Sequence, residues 1–320
     1  MVAGLEITSP LPDHGGGRPV FQAKISWGTF GSGLIYLLLG LLLAVFCSGL
    51  ASAQAPGADL FHKGQYTAAY AALWPGINAG NPEAAFYGLV IRRNGLDGRA
   101  AAKPDELAAL WNVLQTNQDF MRQGLANPDT PQATADAYRT ALAQLSYFGP
   151  TPPPWPPGRP GPEKADLVRA ASTSLAPMLR RFPPAMNFQA YLELNTSGKR
   201  PSSAFWLVLR SAEKGDRLAM ANLAWLYREG VGTEKNNLRA SHWARQGAAA
   251  IPPVPRSLNE LAYCYEMGIG VTKDLTEAAR WYEKGAAQAY PQAQGNSRRL
   301  KKKGAGGTAD NPVLESGLTF

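Results

Sequence analysis

Histidine and cysteine carry much of the nucleophilic, acid–base and metal chemistry of proteins, and this chain has few of either. Its 320 residues hold three histidines and two cysteines. His14 and Cys47 fall within the first 53 residues, which read as an export signal. The other two histidines, His62 and His242, stand 180 positions apart, without a metal-ligand spacing. His242, next to Trp243, reads as a surface or packing residue. Cys264 is then the single thiol of a processed chain, too few for an internal disulfide or a zinc site. It reads as a small buried apolar residue. No G-x-S-x-G, P-loop or H-E-x-x-H occurs. The 24 Asp and Glu are scattered, so no carboxylate pair for acid–base work stands out. The sequence nominates no catalytic residue, no cofactor and no metal ligand, which points away from an enzyme. An enzyme or small-ligand site in the divergent region 116–200 is the alternative.

What can be positioned here is surface, and composition says by what. Hydrophobic residues at 45% and charged ones at 18% describe a globular chain. Abundant alanine and sparse β-branched residues favour helix. The net charge is +8, but Arg298, Arg299, Lys301, Lys302 and Lys303 supply five of those charges, leaving an ordinary +3 elsewhere. That distribution argues against a nucleic acid partner.

An internal repeat organises the C-terminal half. Tyr227, Gly230, Gly232, Asn236, Ala240 and Trp243 recur as Tyr265, Gly268, Gly270, Asp274, Ala278 and Trp281, each 38 residues on. A helix precedes each tyrosine, over Ala219–Tyr227 and Leu258–Tyr265, with apolar residues three and four apart. Gly-x-Gly ends it, because glycine enters the left-handed region at little steric cost. Asn236 and Asp274 follow as N-caps of a second helix. That helix carries Ala240 and Trp243, or Ala278 and Trp281, on one face. The alanine permits close approach and the tryptophan fills the gap beside it, so removing either tryptophan should cost about 3–5 kcal/mol. Each unit is a hairpin whose apolar face only stacking can cover.

This pattern resembles the Sel-one-like repeat (SLR), a relative of the tetratricopeptide repeat (TPR). Ala219, Leu223, Ala224, Tyr227, Gly230, Gly232, Asn236, Ala240 and Trp243 follow its motif, and Leu261, Ala262, Tyr265, Gly268, Gly270, Val271, Asp274, Ala278 and Trp281 follow it more closely. The match covers about 204–297. A degenerate copy, Gly80 to Ala84, Gly95, Ala108 and Trp111, carries Arg92 where the family has tyrosine. The resemblance implies an all-α helix-turn-helix solenoid that binds proteins, and by analogy envelope assembly or exopolysaccharide export. Without paired cysteines the chain departs from the branch linked to β-lactam binding.

Between the copies, Thr134–Tyr147 reads as an amphipathic helix ending at Gly149. Eight prolines in residues 150–162 then form an extended spacer. Helices are expected over Glu163–Phe182, kinked at Pro177, over Met186–Asn195 and over Ser202–Gly215. The solenoid is thus expected in two blocks, 54–148 and 164–303, split by a Pro-rich linker at 149–163. The tail 304–320, without periodicity, is expected to be disordered.

The resemblance places the first helices of successive repeats on a concave, partner-binding face. Trp225 and Tyr263 share a repeat position there and could anchor a peptide or helix, or else pack under neighbouring helices. Asn222 and Glu260 share another position and could join the rim. The run Arg298, Arg299, Lys301, Lys302 and Lys303 either closes the last helix, where cations suit the dipole, or touches an anionic membrane or polysaccharide.

Gly33–Leu50 is an uncharged apolar run of 18 residues after Arg18 and Lys24, followed by Ala51-Ser52-Ala53. This is a signal peptide pattern with its cut after Ala53, and a cut after Ala55 also fits the small-x-small rule. The alternative is an uncleaved anchor, since 18 residues nearly span a bilayer core. Either way the rest of the chain is expected outside the cytoplasm, in the periplasm or secreted, or held at the inner membrane. The Gly- and Pro-rich residues before Lys24 mix both charge signs, and translation is expected to start near Val20.

Overall fold

The structure, a computed structural model, describes residues 54–99, 102–149, 165–196, 201–304 and 318. The expected signal at 1–53 and most of the proline-rich stretch lie outside them. Among the described residues the chain forms fourteen α-helices. Six precede the proline-rich stretch: α1 (Ala58–His62), α2 (Tyr66–Asn78), α3 (Pro82–Arg93), α4 (Pro104–Thr116), α5 (Gln118–Ala126) and α6 (Gln132–Phe148). Eight follow it: α7 (Ala165–Leu175), α8 (Pro183–Thr196), α9 (Ser202–Glu213), α10 (Arg217–Glu229), α11 (Asn237–Ala249), α12 (Pro255–Met267), α13 (Leu275–Ala287) and α14 (Pro291–Gly304). None of the described helices is long and apolar enough to cross a membrane.

Caps fix the helix boundaries. Asn81 accepts a bond from the Ala84 amide at 2.9 Å and Asp216 one from Leu218 at 3.0 Å. Asn236 takes the Arg239 amide at 2.9 Å, and Asp274 takes those of Thr276 and Glu277 at 2.9 and 3.0 Å. Gly230 and Gly268, left-handed with φ of 64° and 72°, end α10 and α12. The second glycine of each turn has a further reason to be glycine. A Cβ on Gly270 would lie 2.2 Å from the Asn237 carbonyl oxygen, and one on Gly232 would lie 2.6 Å from that of Pro201. The turn of each repeat therefore rests on the start of the second helix of the unit before it. Pro177 does not kink a long helix; α7 stops at Leu175 and a 3-10 turn, Ala176–Met178, follows.

Apart from α4 and α5, successive helices pack against each other, and α10, α12 and α14 lie side by side. The buried clusters step along the chain with them. The first draws on α1 to α8 and thus on both sides of residues 150–164, where α6 packs directly on α7. The second joins α8 to α11, the third α10 to α12 and the fourth α12 to α14. Trp243 packs on the second and third, and Trp281 and Tyr265 on the third and fourth. Each repeat tryptophan therefore ties two neighbouring cores together while one edge stays in solvent. In the N-terminal copy α3 and α4 form the expected hairpin, and Trp111 is fully buried. Of the tail expected to be disordered, 305–317 and 319–320 lie outside the described residues. Leu318, contrary to that expectation, is buried in the second cluster with Phe205 and Val208.

Candidate protein-binding surface

The seam between α10 and α12 holds Tyr263, Asn222 and Glu260, whereas Trp225 packs against the second cluster. Trp225 and Tyr263 are both half-buried, each keeping part of its ring in solvent. The Arg228 guanidinium lies 5.0 Å from the centre of the Tyr263 ring, a cation–π contact that ties α10 to α12. Burial raises the Tyr263 phenol above its ordinary value, so the ring presents a neutral hydroxyl.

Asn222 and Glu260 do not form a rim: both are buried beneath that surface. Asn222 Oδ1 accepts a bond from Arg256 Nη1 at 3.2 Å, and Glu260 Oε2 accepts one from Arg228 Nε at 3.2 Å. Both partners lie on the neighbouring helix, so these polar groups register α10 against α12. A buried Glu260 without a partner would be costly, and the Arg228 guanidinium offsets part of that cost.

The next seam repeats the device with the charges reversed. Asn296 Nδ2 donates to Asn259 Oδ1 at 3.0 Å, and Arg299 Nη2 on α14 donates to Glu266 on α12 at 2.5 Å. Glu266 stands 38 residues after Arg228, and it also accepts from the Tyr282 hydroxyl at 3.0 Å. Arg299 is thus not part of a basic surface; it is drawn inward by a buried carboxylate. Lys301 pairs with Glu283 at 3.0 Å. Of the five expected surface cations, Arg298 and Lys302 are exposed and make no described ion pair, and the Lys303 side chain lies outside the described positions.

Cys264 is buried, and burial pushes its thiol up to about 12, in keeping with an apolar packing role. His242 is exposed and meets Trp243 edge-on at 5.6 Å. Among the described residues no group of three or more His, Cys, Asp or Glu is placed to hold a metal ion. The divergent region 116–200 forms α5 to α8, and its Pro183, Pro184 and Asn187 line a cavity shared with distant segments. A second aromatic surface has no signature in the repeat. Trp74, half-exposed, lies 5.9 Å from Tyr70, and Arg99 covers that tyrosine at 4.4 Å.

Residues 217–250 and 255–290 match the Sel1 repeat family, so the hairpins α10–α11 and α12–α13 are Sel1 repeats. Two solved structures are similar to the chain. A Sel1 repeat protein from Oxalobacter formigenes is 21% identical, with 81% of this chain and 93% of that one covered at a TM-score of 0.45. A protective antigen of uropathogenic Escherichia coli, described as displaying an SLR fold, is 16% identical; 75% of this chain and 53% of that one are covered, at a TM-score of 0.40. No curated protein matches the chain. Sel1 repeats generally mediate protein–protein interaction and are typically not enzymes.

Proposed function

We propose that this chain, whose C-terminal part is built on two Sel1 repeats, is an exported scaffold that holds a protein partner on the face lined by α10 and α12. The observation that carries the reading is the equivalence of Trp225 and Tyr263 in the two repeats. Two large aromatic side chains occupy the same repeat position on adjacent helices and stay partly open to solvent. Arg228 holds the Tyr263 ring and the second cluster holds Trp225, which lowers the freedom each ring has to lose on binding. Aromatic anchors on a preorganised surface are what a protein partner's apolar side chain docks against.

Export rests on the apolar run Gly33–Leu50 and the small residues after it. The start of the folded part favours a cut after Ala53 over one after Ala55. Ala55 is buried, and its backbone amide donates to Glu83 Oε2 at 2.8 Å, a bond the later cut would remove. The setting this implies is the bacterial cell envelope, in the periplasm or at its membranes.

The test is capture of partners from the native envelope by the tagged protein, beside a Trp225→Ala/Tyr263→Ala form shown by thermal unfolding to be folded at the capture temperature. Loss of one specific partner from the variant supports the reading. Capture of the same partners by both forms, or of none by either, overturns it. Amino-terminal sequencing of the mature chain reports separately on export, with Gln54 as the expected first residue.

A further inference from the structure

The unit that departs most from the repeat carries an open groove of about 440 Å³ between α2 and the residues that follow α3. In the Sel1 repeats a tyrosine lies near the end of the first helix, and the turn after it rests on the preceding helix through a glycine. Here Arg92 stands for that tyrosine, the turn is longer, and Asp97 and Arg99 line the groove. Thr67, Tyr70, Ala71 and Trp74, three or four residues apart on one face of α2, form the opposite wall.

The polar groups of this groove engage one another, apart from one edge. Arg92 is buried and bonds Asp97 at 3.1 Å and Glu106 at 2.6 Å. The Tyr70 hydroxyl donates to Glu106 at 3.3 Å, and the Thr67 hydroxyl donates to the Asp97 carbonyl at 3.0 Å. Arg99 Nε donates to Asp97 Oδ2 at 2.5 Å, while the guanidinium lies 4.4 Å from the centre of the Tyr70 ring. Arg99 is thus held at one nitrogen and over one ring. Its two terminal nitrogens make no hydrogen bond among the described residues, and its side chain is 52% exposed.

That free edge carries parallel N–H groups, which match the two oxygens of a carboxylate. Asp97 and Glu106 already balance Arg92 and Arg99, so a doubly charged phosphate is repelled more strongly than a single carboxylate. Where the anion sits says what must carry it. Tyr70, which Arg99 covers, is midway along the wall, between Thr67 and Trp74. Thr67 is exposed, and its hydroxyl, having donated, still accepts a hydrogen bond. Trp74 is 49% exposed, 5.9 Å from Tyr70, and offers an apolar ring face. Thr67 and Trp74 are seven residues apart on the helix, about 10 Å. About three residues of extended chain cover that length. A ligand that meets all three groups is a chain running along α2, with its carboxylate on a side branch near the middle.

We propose that this groove binds an extended acidic segment of a partner protein, in which Asp or Glu lies one or two residues from a large apolar side chain. The acid takes the Arg99 fork, the apolar side chain lies on Trp74, and a backbone N–H donates to Thr67 Oγ1. The site is separate from the Trp225–Tyr263 surface, and its test does not depend on that one.

Calorimetric titration of the whole protein tests this with capped peptides. The first is acetyl-Ala-Glu-Ala-Phe-Ala-amide; one relative has Gln in place of Glu, and another has Ala in place of Phe. Saturable binding of the first is expected, about fivefold tighter than either relative. Arg99→Gln should abolish the preference for Glu over Gln and keep that for Phe over Ala, and Trp74→Ala should do the reverse. The preference each variant keeps shows that the rest of its groove is folded. No saturable binding of the first peptide at millimolar concentration overturns the proposal. So does equal affinity for the Glu and Gln peptides, or a Glu preference that survives Arg99→Gln. Tighter binding of tri-galacturonate, an acid without backbone N–H groups, also overturns it.

Discussion

Replacing Glu83 by glutamine should make the protein more stable above neutral pH and leave it nearly unchanged in mild acid. Glu83 sits in the first turn of α3 with 1% of its surface exposed. Its Oε2 accepts the Ala55 amide at 2.8 Å and its Oε1 accepts the Thr134 hydroxyl at 3.1 Å. Those two bonds favour the carboxylate, but burial outweighs them and pushes the group from 4.5 up to about 7. The folded state therefore holds the proton more tightly than the unfolded chain. The stability this proton brings is complete below the unfolded value and is lost as pH rises through 7. The difference between the two values corresponds to roughly 3 kcal/mol. Glutamine at this position keeps the shape and both bonds. Its carbonyl accepts from Ala55, and its amino group donates to the Thr134 oxygen once that hydroxyl turns. Urea unfolding of parent and Glu83→Gln at pH 5 and at pH 8 isolates the site, because all other titrations cancel in the double difference. The variant should gain up to about 2.5 kcal/mol on the parent between the two conditions. The same stability difference at both pH values, or a variant that loses ground at pH 8, refutes the argument.

Three further comparisons test the repeat packing by the same unfolding measurement. Gly270→Ala should cost about 3–5 kcal/mol, combining left-handed strain with the clash at Asn237, whereas Gly268→Ala, which meets nothing closer than 3.4 Å, should cost only about 1–2 kcal/mol. Equal costs would remove the close approach as the reason for the second glycine. Trp111→Ala should cost about 3–5 kcal/mol, and Trp281→Ala about 2–3 kcal/mol because one edge of that ring is already wet; the reverse order would contradict the packing described. Arg299→Ala should cost about 3–5 kcal/mol at pH 7 by stranding the buried Glu266. Arg298→Ala and Lys302→Ala should each stay within about 0.5 kcal/mol, and an Arg299→Ala effect as small as theirs would mean that Glu266 is not held by that ion pair.

The two Sel1 repeats were legible because every feature that defines them is local. Glycine is required where the backbone turns left-handed, Asn or Asp where a helix starts without a partner for its first amides, and Ala with Trp where two helices meet. The degenerate copy was legible in part. Trp111 marks the hairpin, but the turn after α3 is longer, and α5 interrupts the alternation without a repeat signature. The proline-rich stretch shows the limit of composition. Eight prolines in residues 150–162 predict local stiffness, yet they say nothing about what the flanking helices bury, and α6 and α7 bury the same core.

The site residues failed where their fate depends on a partner about one repeat away. Asn222 and Glu260 are polar, and a polar residue on a repeat helix is ordinarily exposed. Their burial is made possible by Arg256 and Arg228, 34 and 32 residues distant, which the sequence gives no local reason to connect. The basic run failed for a different reason. Five cations in six residues look like one patch, but an α-helix turns about 100° per residue, so neighbours in sequence must face different ways. Arg299 faces α12 and is captured by Glu266, while Arg298 and Lys302 face solvent. Arg228 and Glu266 then explain why reading one repeat at a time could not find this. They hold the same repeat position with opposite charge, and each is matched by the complementary charge on the helix that follows. Exchanging the two seams would set like charges against each other in a buried place, so the ion pairs specify the order in which the hairpins stack. That specificity also bears on the proposed surface. Trp225 and Tyr263 can act as one anchor only if α10 is followed by α12 in a fixed register, and the buried Arg228–Glu260 pair sets it.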